Sequence, residues 1–453
     1  MGDESLTYGV LSADEEAGTL PSNKIEKMGN SHKVIGLLDH MGFGNMGDAA
    51  IHESFMDNIK GRLPNARLIA FSQNPEDTRK RHGIESYPIR WKYPGCWAAG
   101  ENVRRGRLGR TSELKALLEN RCGGLYRLAR YACNLVRRGK HLKRTFGVLR
   151  SLDLLVMAGG GQLCDLWWDQ PYNIFKFSFL ARLSNTPVFI VGVGADRLEG
   201  TSSRFFARWA VRLAAYSSFR DVESQALIRS LGVKTQTHVC PDPAYALHLR
   251  DYEIVTLSNT LRAKVGLNPM GFCDPRMWPR KDTDVYNRYL DKLARFSSWL
   301  LTKNYDLEFF TSDAGVDRYA IEDMKERLLT GVPPEVSKRI TFRLVSSLQD
   351  LLFQMSTFDF VVTPKFHGVV FSHLLAKPVI ALSYMPKINH LMRTVGHDQY
   401  CLDIEHFDVE ALVAAFQSLV RDADDLQCLF RKTTATYQER LRAEFDSLTS
   451  KLT

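Results

Sequence analysis

Lys365 and His367 stand two residues apart in the run Val361-Val-Thr-Pro-Lys-Phe-His-Gly368. A cation beside an imidazole can hold an anion and move a proton next to it, because an ammonium is a point charge and histidine changes charge near neutral pH. The surrounding stretch, Phe358 to Lys387, reads as strand, polar turn, helix, strand. Phe360 to Val362 is short and apolar and runs into a proline, Val369 to Leu375 carries the crossover, and Val379 to Leu382 forms the next strand. The pair therefore falls just past the carboxyl end of a strand, where open α/β sheets bind ligands. Spacing alone leaves two readings open, a catalytic imidazole and a helix-start histidine bonded to backbone.

Other strand-to-helix switches carry polar or glycine-rich turns. Val34 to Leu38 enters Asp39-His-Met-Gly-Phe-Gly-Asn-Met-Gly-Asp48, in which glycines 42, 44 and 47 let backbone approach a ligand at a helix N-terminus. It is a poor dinucleotide fingerprint, since its spacing is wrong and no acidic residue ends the next strand, Leu68 to Phe71, so a tight turn without a ligand stays open. Leu154 to Met157 runs into Gly159-Gly-Gly161, and Pro187 to Val191 into Gly192-Val-Gly194. Ser217 to Arg220 enters Asp221-Val-Glu-Ser224, which places Arg220 at a further switch.

These elements imply an α/β fold of two Rossmann-like halves. The expected organisation is a disordered leader over 1–30, an N-terminal domain over 31–245 with a basic insert at about 91–150, a C-terminal domain over 246–405, and helices over 406–453. Cys240-Pro-Asp-Pro-Ala244 reads as a stiff boundary between the halves. A chain of 453 residues with 44% hydrophobic and 25% charged residues is globular and long enough for two or three domains. Without a long apolar run or a signal-like start, the expectation is a cytoplasmic protein. The eight cysteines are scattered with no Cys-x-x-Cys pair, so reduced thiols are expected, with no disulfide frame and no metal site.

The net charge of +9 is local: from Trp91 to Arg150 there are 15 Lys and Arg against 3 Glu, which leaves the rest of the chain at −3. Within it, Leu125, Leu128, Ala129, Ala132, Leu135 and Val136 share one helical face, and Arg127, Arg130, Asn134, Arg137 and His141 the other. Such a helix fits an anionic inner membrane surface, holding the protein there as a peripheral one; it fits equally a surface helix packed on its own domain. Nucleic acid is not expected, because no finger, RNP or basic-zipper pattern accompanies the charge.

Taken in order, Gly44-Asn-Met-Gly-Asp48, Gly159-Gly-Gly161, Gly192-Val-Gly194, Phe219-Arg-Asp-Val-Glu-Ser224, Pro241-Asp-Pro-Ala244, Lys365-Phe-His367 and Tyr384-Met-Pro-Lys387 resemble the polysaccharide pyruvyl transferase family over about Lys33 to Gly396. The resemblance implies two Rossmann-like domains across a cleft, as in B-type glycosyltransferases. It also implies transfer of pyruvate from phosphoenolpyruvate to a sugar, free or lipid-linked, as a cyclic ketal, with no cofactor beyond that donor. On this basis His367 is the expected general acid/base, with Asp48 or Asp221 orienting it or the sugar. Arg220 and Lys365 are the expected anion clamps, helped by Asn45, Gly160, Gly161, Gly194 and Lys387. The family motif usually reads Arg-Leu-His where this chain has Lys365-Phe366-His367; Lys lacks the bidentate fork of Arg. Two rival functions stay open, a nucleotide-sugar glycosyltransferase of the same shape and a non-catalytic membrane-associated scaffold. The acceptor sugar and the oligomeric state are not set by the sequence.

Overall fold

Short apolar strands alternating with capped helices build both halves of the chain. A computed structural model describes residues 32–38, 44–90, 123–165, 170–252, 262–330 and 333–452, and those from residue 33 onward belong to one compact unit. The expected leader and the first part of the basic insert lie outside the described residues.

The first half runs β1 (Val34–Leu38), α1 (Met46–Arg62), β2 (Arg67–Ser72), α2 (Pro75–His82), β3 (Glu85–Pro88), α3 (Gly123–Leu149), β4 (Leu154–Ala158) and β5 (Leu163–Cys164). It continues through α4 (Gln170–Leu183), β6 (Val188–Val193), β7 (Ala195–Asp196), α5 (Thr201–Leu213), β8 (Tyr216–Phe219), α6 (Val222–Ser230) and β9 (His238–Val239). The second half holds β10 (Lys264–Leu267), α7 (Thr283–Thr302), β11 (Asp306–Phe309), α8 (Ala314–Leu329), α9 (Pro334–Ser337), β12 (Ile340–Phe342) and α10 (Leu348–Ser356). It closes with β13 (Phe360–Thr363), α11 (Phe366–Leu374), β14 (Val379–Ser383), α12 (Pro386–Thr394), β15 (Cys401–Asp403), α13 (Val409–Arg421) and α14 (Ala423–Ser450). Side chains of Asn45, Asn74, Asp221, Asp282, Ser347 and Asp408 accept N–H groups from the first turns of α1, α2, α6, α7, α10 and α13, each such cap contributing about 1 kcal/mol.

Seven parallel strands pair in the order β3-β2-β1-β4-β6-β8-β9, and six in the order β12-β11-β10-β13-β14-β15. Every residue of β4 and of β14 is buried, as strands covered on both faces require. Each sheet reverses its winding once, between β1 and β4 and between β10 and β13. Chain leaving the carboxyl ends of such neighbours diverges and opens a crevice. The two crevices face each other: Met46 N–H donates to the Ser312 carbonyl at 2.7 Å, and Asn45 bridges to Asp313.

The terminal helix returns to the first half. At 28 residues α14 spans about 42 Å. On it Asp446 meets Arg62 at 2.6 Å, and Glu444 accepts from Tyr216 and Ser218 at 2.7 Å each.

Two boundaries differ from the sequence reading in ways that matter. The crossover helix α11 begins at Phe366, three residues before Val369, because Thr363 Oγ1 accepts the Lys365 N–H at 3.1 Å and lets Lys365 act as the helix-flanking residue. Strand β8 ends at Phe219, so Arg220 is the first residue beyond it. The backbone of the basic helix is helical over the whole of Gly123–Leu149, longer than expected, while the side-chain sorting expected up to residue 133 and at Leu135 lies outside the described side chains. No described helix is long and apolar enough to cross a membrane.

Burial dictates a pH response. His52, His373 and His397 are at most 2% exposed, and burial drives their imidazoles down to about 3, about 3 and about 4. They fold neutral, so between pH 6.5 and about 4 the unfolded chain binds protons that the folded chain refuses. Stability should therefore fall as pH drops through this window, by at most about 1.4 kcal/mol per pH unit for each histidine. Thermal unfolding at pH 7 and pH 5 checks this, and replacing His373 and its 2.8 Å partner Tyr245 together by Phe should flatten the slope. An unchanged melting temperature in the wild type would mean that these rings protonate in the folded state.

Candidate functional site

His367 projects from the first turn of α11 into the space between the halves. Its Nδ1 lies against the first turn of α1 at Gly47, where a Cβ would stand 1.9 Å from that atom. Only glycine leaves room for the ring. The other nitrogen, Nε2, faces Asp242 Oδ1 at 3.8 Å, an ion-pair separation longer than a hydrogen bond, and has no hydrogen-bond partner among the described residues.

Asp242 comes from the first half, between Pro241 and Pro243, and its side chain is 1% exposed. Its Oδ1 accepts the Ala244 N–H at 3.0 Å, capping a short 3₁₀ turn, and its Oδ2 lies 3.7 Å from Arg220 Nη1. Burial alone would raise this carboxyl, but His367, Arg220 and the Ala244 N–H together hold it below the usual carboxylate range. One buried carboxylate thus faces an imidazole from one half and a guanidinium from the other.

The Arg220 side chain is 3% exposed and fixed on three sides. Its Cζ sits 4.3 Å from the centre of the Phe366 ring, its Nε lies 3.4 Å from Asp221 Oδ2, and a Cβ on Gly194 would fall 2.4 Å from Cζ. Such stacking and pairing hold a planar cation that a lysine could not match. The turn after β4 passes beside it. Gly159 and Gly160 take φ of +57° and +72°, and the Gly160 carbonyl accepts the Gly194 N–H at 2.8 Å, which ties the two glycine turns together. A Cβ on Gly161 would lie 3.7 Å from Lys387 Nζ and 3.8 Å from Arg220 Nη2. Two cations, one from each half, therefore meet over a bare backbone turn. Lys387 makes no ion pair among the described residues. An anion with two oxygen-bearing ends can bind there.

Lys365 is placed elsewhere. Its Nζ lies 3.0 Å from Asp317 Oδ2 and 3.6 Å from Asp313 Oδ2, both on or beside the first turn of α8. Burial would lower the ammonium, but the two carboxylates outweigh it and raise it; burial and Asp317 in turn push Asp313 up. Asn45 is the α1 cap, accepting from Gly47 and Asp48 at 2.9 and 3.3 Å, and Asp48 is buried in that turn. Asp221 caps α6 through Ser224 N at 2.6 Å. The acid that faces His367 is thus Asp242, a residue outside the expected set of site residues, whose Pro-Asp-Pro context reads as a boundary and as one of the family motifs. Asp221, Glu223 and His390 gather their ligand atoms within 4.8 Å of one another.

A family model described as polysaccharide pyruvyl transferase matches residues 45–385. The chain belongs to that family. The matched span takes in Asn45, the three glycine turns, Arg220, Asp242 and Lys365 to His367. No curated protein sequence matches the chain. Among solved structures, MnaA of S. aureus with UDP is 11% identical with a TM-score of 0.55, covering 91% of this chain and 94% of that one. The UDP-GlcNAc 2-epimerase from Neisseria meningitidis bound to UDP-GlcNAc is 11% identical, with TM-score 0.51 and coverage of 88% and 94%. A glycosyltransferase from Rickettsia africae ESF-5 is 10% identical, with TM-score 0.51 and coverage of 93% and 98%. These likenesses show the fold, two Rossmann-like domains facing a cleft in the B-type glycosyltransferase arrangement, as the sequence led one to expect.

The placement of Lys365 makes a testable statement. Lys365→Met leaves two carboxylates buried without their cation and should destabilise the protein by on the order of 3–5 kcal/mol at neutral pH, with recovery in the Lys365→Met/Asp317→Asn double variant. Urea unfolding reads both. Were Lys365 an anion clamp instead, Lys365→Met would unfold like wild type and lose affinity for inorganic phosphate.

Proposed function

We propose that this pyruvyl transferase takes pyruvate from phosphoenolpyruvate and delivers it to a sugar of a polysaccharide or of its lipid-linked precursor, forming a cyclic ketal. The observation that supports the reading best is the pair of cations, Arg220 and Lys387, converging on Gly161 beside the Asp242–His367 pair. Phosphoenolpyruvate carries a phosphate and a carboxylate on one enol carbon, so its recognition calls for two cationic contacts close together.

In this reading His367, facing Asp242, gives a proton to the methylene carbon and leaves C2 electron-poor. A sugar hydroxyl adds to C2 and returns its proton to the imidazole. The C2–oxygen bond to phosphate then breaks, with His367 protonating the leaving group, and Arg220 and Lys387 stabilise its charge. A second hydroxyl of the same sugar adds to C2 and gives its proton to the His367 imidazole, which closes the ketal and restores the starting state of His367. The products are the ketal and inorganic phosphate.

Two measurements test it. Phosphoenolpyruvate at a hundred times its Kd should stabilise the fold by about 2.7 kcal/mol, seen as a higher melting temperature, while UDP- and GDP-sugars should not. The reverse pattern would favour a glycosyltransferase. Gly47→Ala forces a methyl group into the His367 ring without touching either cation, so it should lower turnover by about 10²- to 10⁴-fold and leave phosphoenolpyruvate binding near wild type. Wild-type turnover in that variant would take His367 out of the reaction.

A further inference from the structure

Helices α3, α4 and α5 cover the face of the seven-stranded sheet that points away from the second half. Their inward residues, among them Leu149, Ile174, Phe177, Ala207 and Val211, pack with Ile69, Leu155 and Ile190 in a core separate from the larger one shared by α1 and the second half. Outward, α4 is apolar again: Tyr172, Phe175, Phe179 and Leu183 recur at helical spacing on the side opposite Phe177 and Ala181. A helix apolar on two opposite faces buries only one of them against its own sheet and leaves the other for a partner. Here the outer stripe is bare, with Phe179 45% and Leu183 57% exposed.

The neighbouring helix extends the patch. Phe205, at 51% exposed, lies 6.2 Å from both the Phe175 and Trp209 rings, and Phe175 stacks on Phe179 at 5.8 Å. A contiguous aromatic surface on two helices marks an interaction site rather than scattered surface residues.

Charge identifies the partner. The sequences of α3, α4 and α5 together hold twelve Lys and Arg and not one Asp or Glu. Arg182, Arg204 and Arg212 are exposed around the aromatics, Arg212 stacking on Trp209 at 4.8 Å, and Arg137, Lys140, Lys143 and Arg144 are exposed on α3 beside the bare side chains of Val136 and Leu142. An isologous dimer through this face would set cations against cations, which argues against a second copy as the occupant. Exposed aromatics among cations on a helical surface match the headgroup and upper acyl region of an anionic bilayer.

We propose that the outer face of α3, α4 and α5 docks the enzyme on an anionic lipid bilayer, with Phe179, Leu183, Phe205 and Trp209 entering the headgroup layer. The assignment of a lipid-linked acceptor rests on the function proposed above; the docking itself does not. Helices antiparallel to the strands start at the carboxyl edge of the sheet, so Tyr172 and Phe205, in the first two turns of α4 and α5, sit on the edge where the cleft opens. A membrane-held sugar would reach the site from that side.

The test is flotation of the full chain with vesicles of phosphatidylcholine containing 30% phosphatidylglycerol, against phosphatidylcholine alone, with soluble-sugar turnover and melting temperature measured in parallel. Wild type should float with the anionic vesicles only and be released as salt rises. Phe179→Ser/Phe205→Ser, and separately Arg137→Gln/Arg144→Gln/Arg204→Gln/Arg212→Gln, should bind at least about tenfold more weakly while melting and soluble-sugar turnover stay at wild type. Binding that is absent, indifferent to lipid charge or unchanged in both variants overturns the proposal. So does tighter binding to single-stranded RNA than to the vesicles at equal salt, or a wild-type dimer that the Phe179→Ser/Phe205→Ser variant converts to monomer. Loss of phosphoenolpyruvate chemistry with intact flotation would sink the reaction assigned above and leave the docking face standing.

Discussion

The Asp242 carboxylate is the constraint on which the site depends. Burying a charge is costly unless partners approach it closely, and this one has Arg220 at 3.7 Å and His367 at 3.8 Å, from opposite halves of the chain. Its placement in turn explains several glycines. A Cβ on Gly192 would strike Pro243 Cδ at 2.8 Å, one on Gly47 would strike His367, and one on Gly194 would strike Arg220. Each absence of a side chain lets one member of the trio reach the carboxylate. Removing the negative charge would leave a guanidinium and an imidazole facing each other with nothing to bring them together.

The two lysines of the site illustrate how surroundings decide a role that residue type leaves open. Lys365 is held by Asp317 and Asp313, so its charge is consumed inside the second half. Lys387, with no such pair among the described residues, keeps its charge for whatever approaches Gly161. The departure from the usual Arg-Leu-His pattern takes a different meaning in this light. Lys365 suits a compact carboxylate pair, and Phe366, where the family more often has leucine, provides the ring on which Arg220 stacks. In the function proposed above, recognition of the anion rests on a guanidinium supported by the second position of the motif and not on the first.

Legibility in the sequence followed range. The central strands were readable because strands buried on both faces are continuous apolar runs, whereas β3, β9 and β15, short edge strands containing Glu85, Pro88, His238 and Asp403, carry no such signal. Phe366-His-Gly368 reads as turn because glycine and proline punctuate it, yet Thr363 stabilises an early helix start there. The glycine turns and Arg220 were found because a strand-to-helix switch is a local pattern. Asp242 was missed as an acid since nothing local distinguishes a buried carboxylate from a boundary turn; its partners are 22 residues before it and 125 after it. The same holds for Lys365, whose carboxylates lie on a helix 48 and 52 residues upstream.

The ties between the halves bear on how the site works. Glu444 of α14 accepts from Tyr216 and Ser218 on β8, the strand that delivers Arg220, and Asp446 holds Arg62 at the end of α1, the helix on which His367 rests. The terminal helix thus fixes, from behind, both first-half elements that touch the trio of Arg220, Asp242 and His367. Large opening would break these contacts; a small rotation would not. A shift of about 1 Å is enough to bring Nε2 of His367 and Asp242 Oδ1 from 3.8 Å into hydrogen-bond range, and catalytic hydrogen bonds are commonly long before substrate binds. In the function proposed above, an anion gripped by Arg220 from one half and Lys387 from the other would pull in that direction, so the contacts proposed to recognise the donor would also be the ones that tighten the proposed proton-transfer pair.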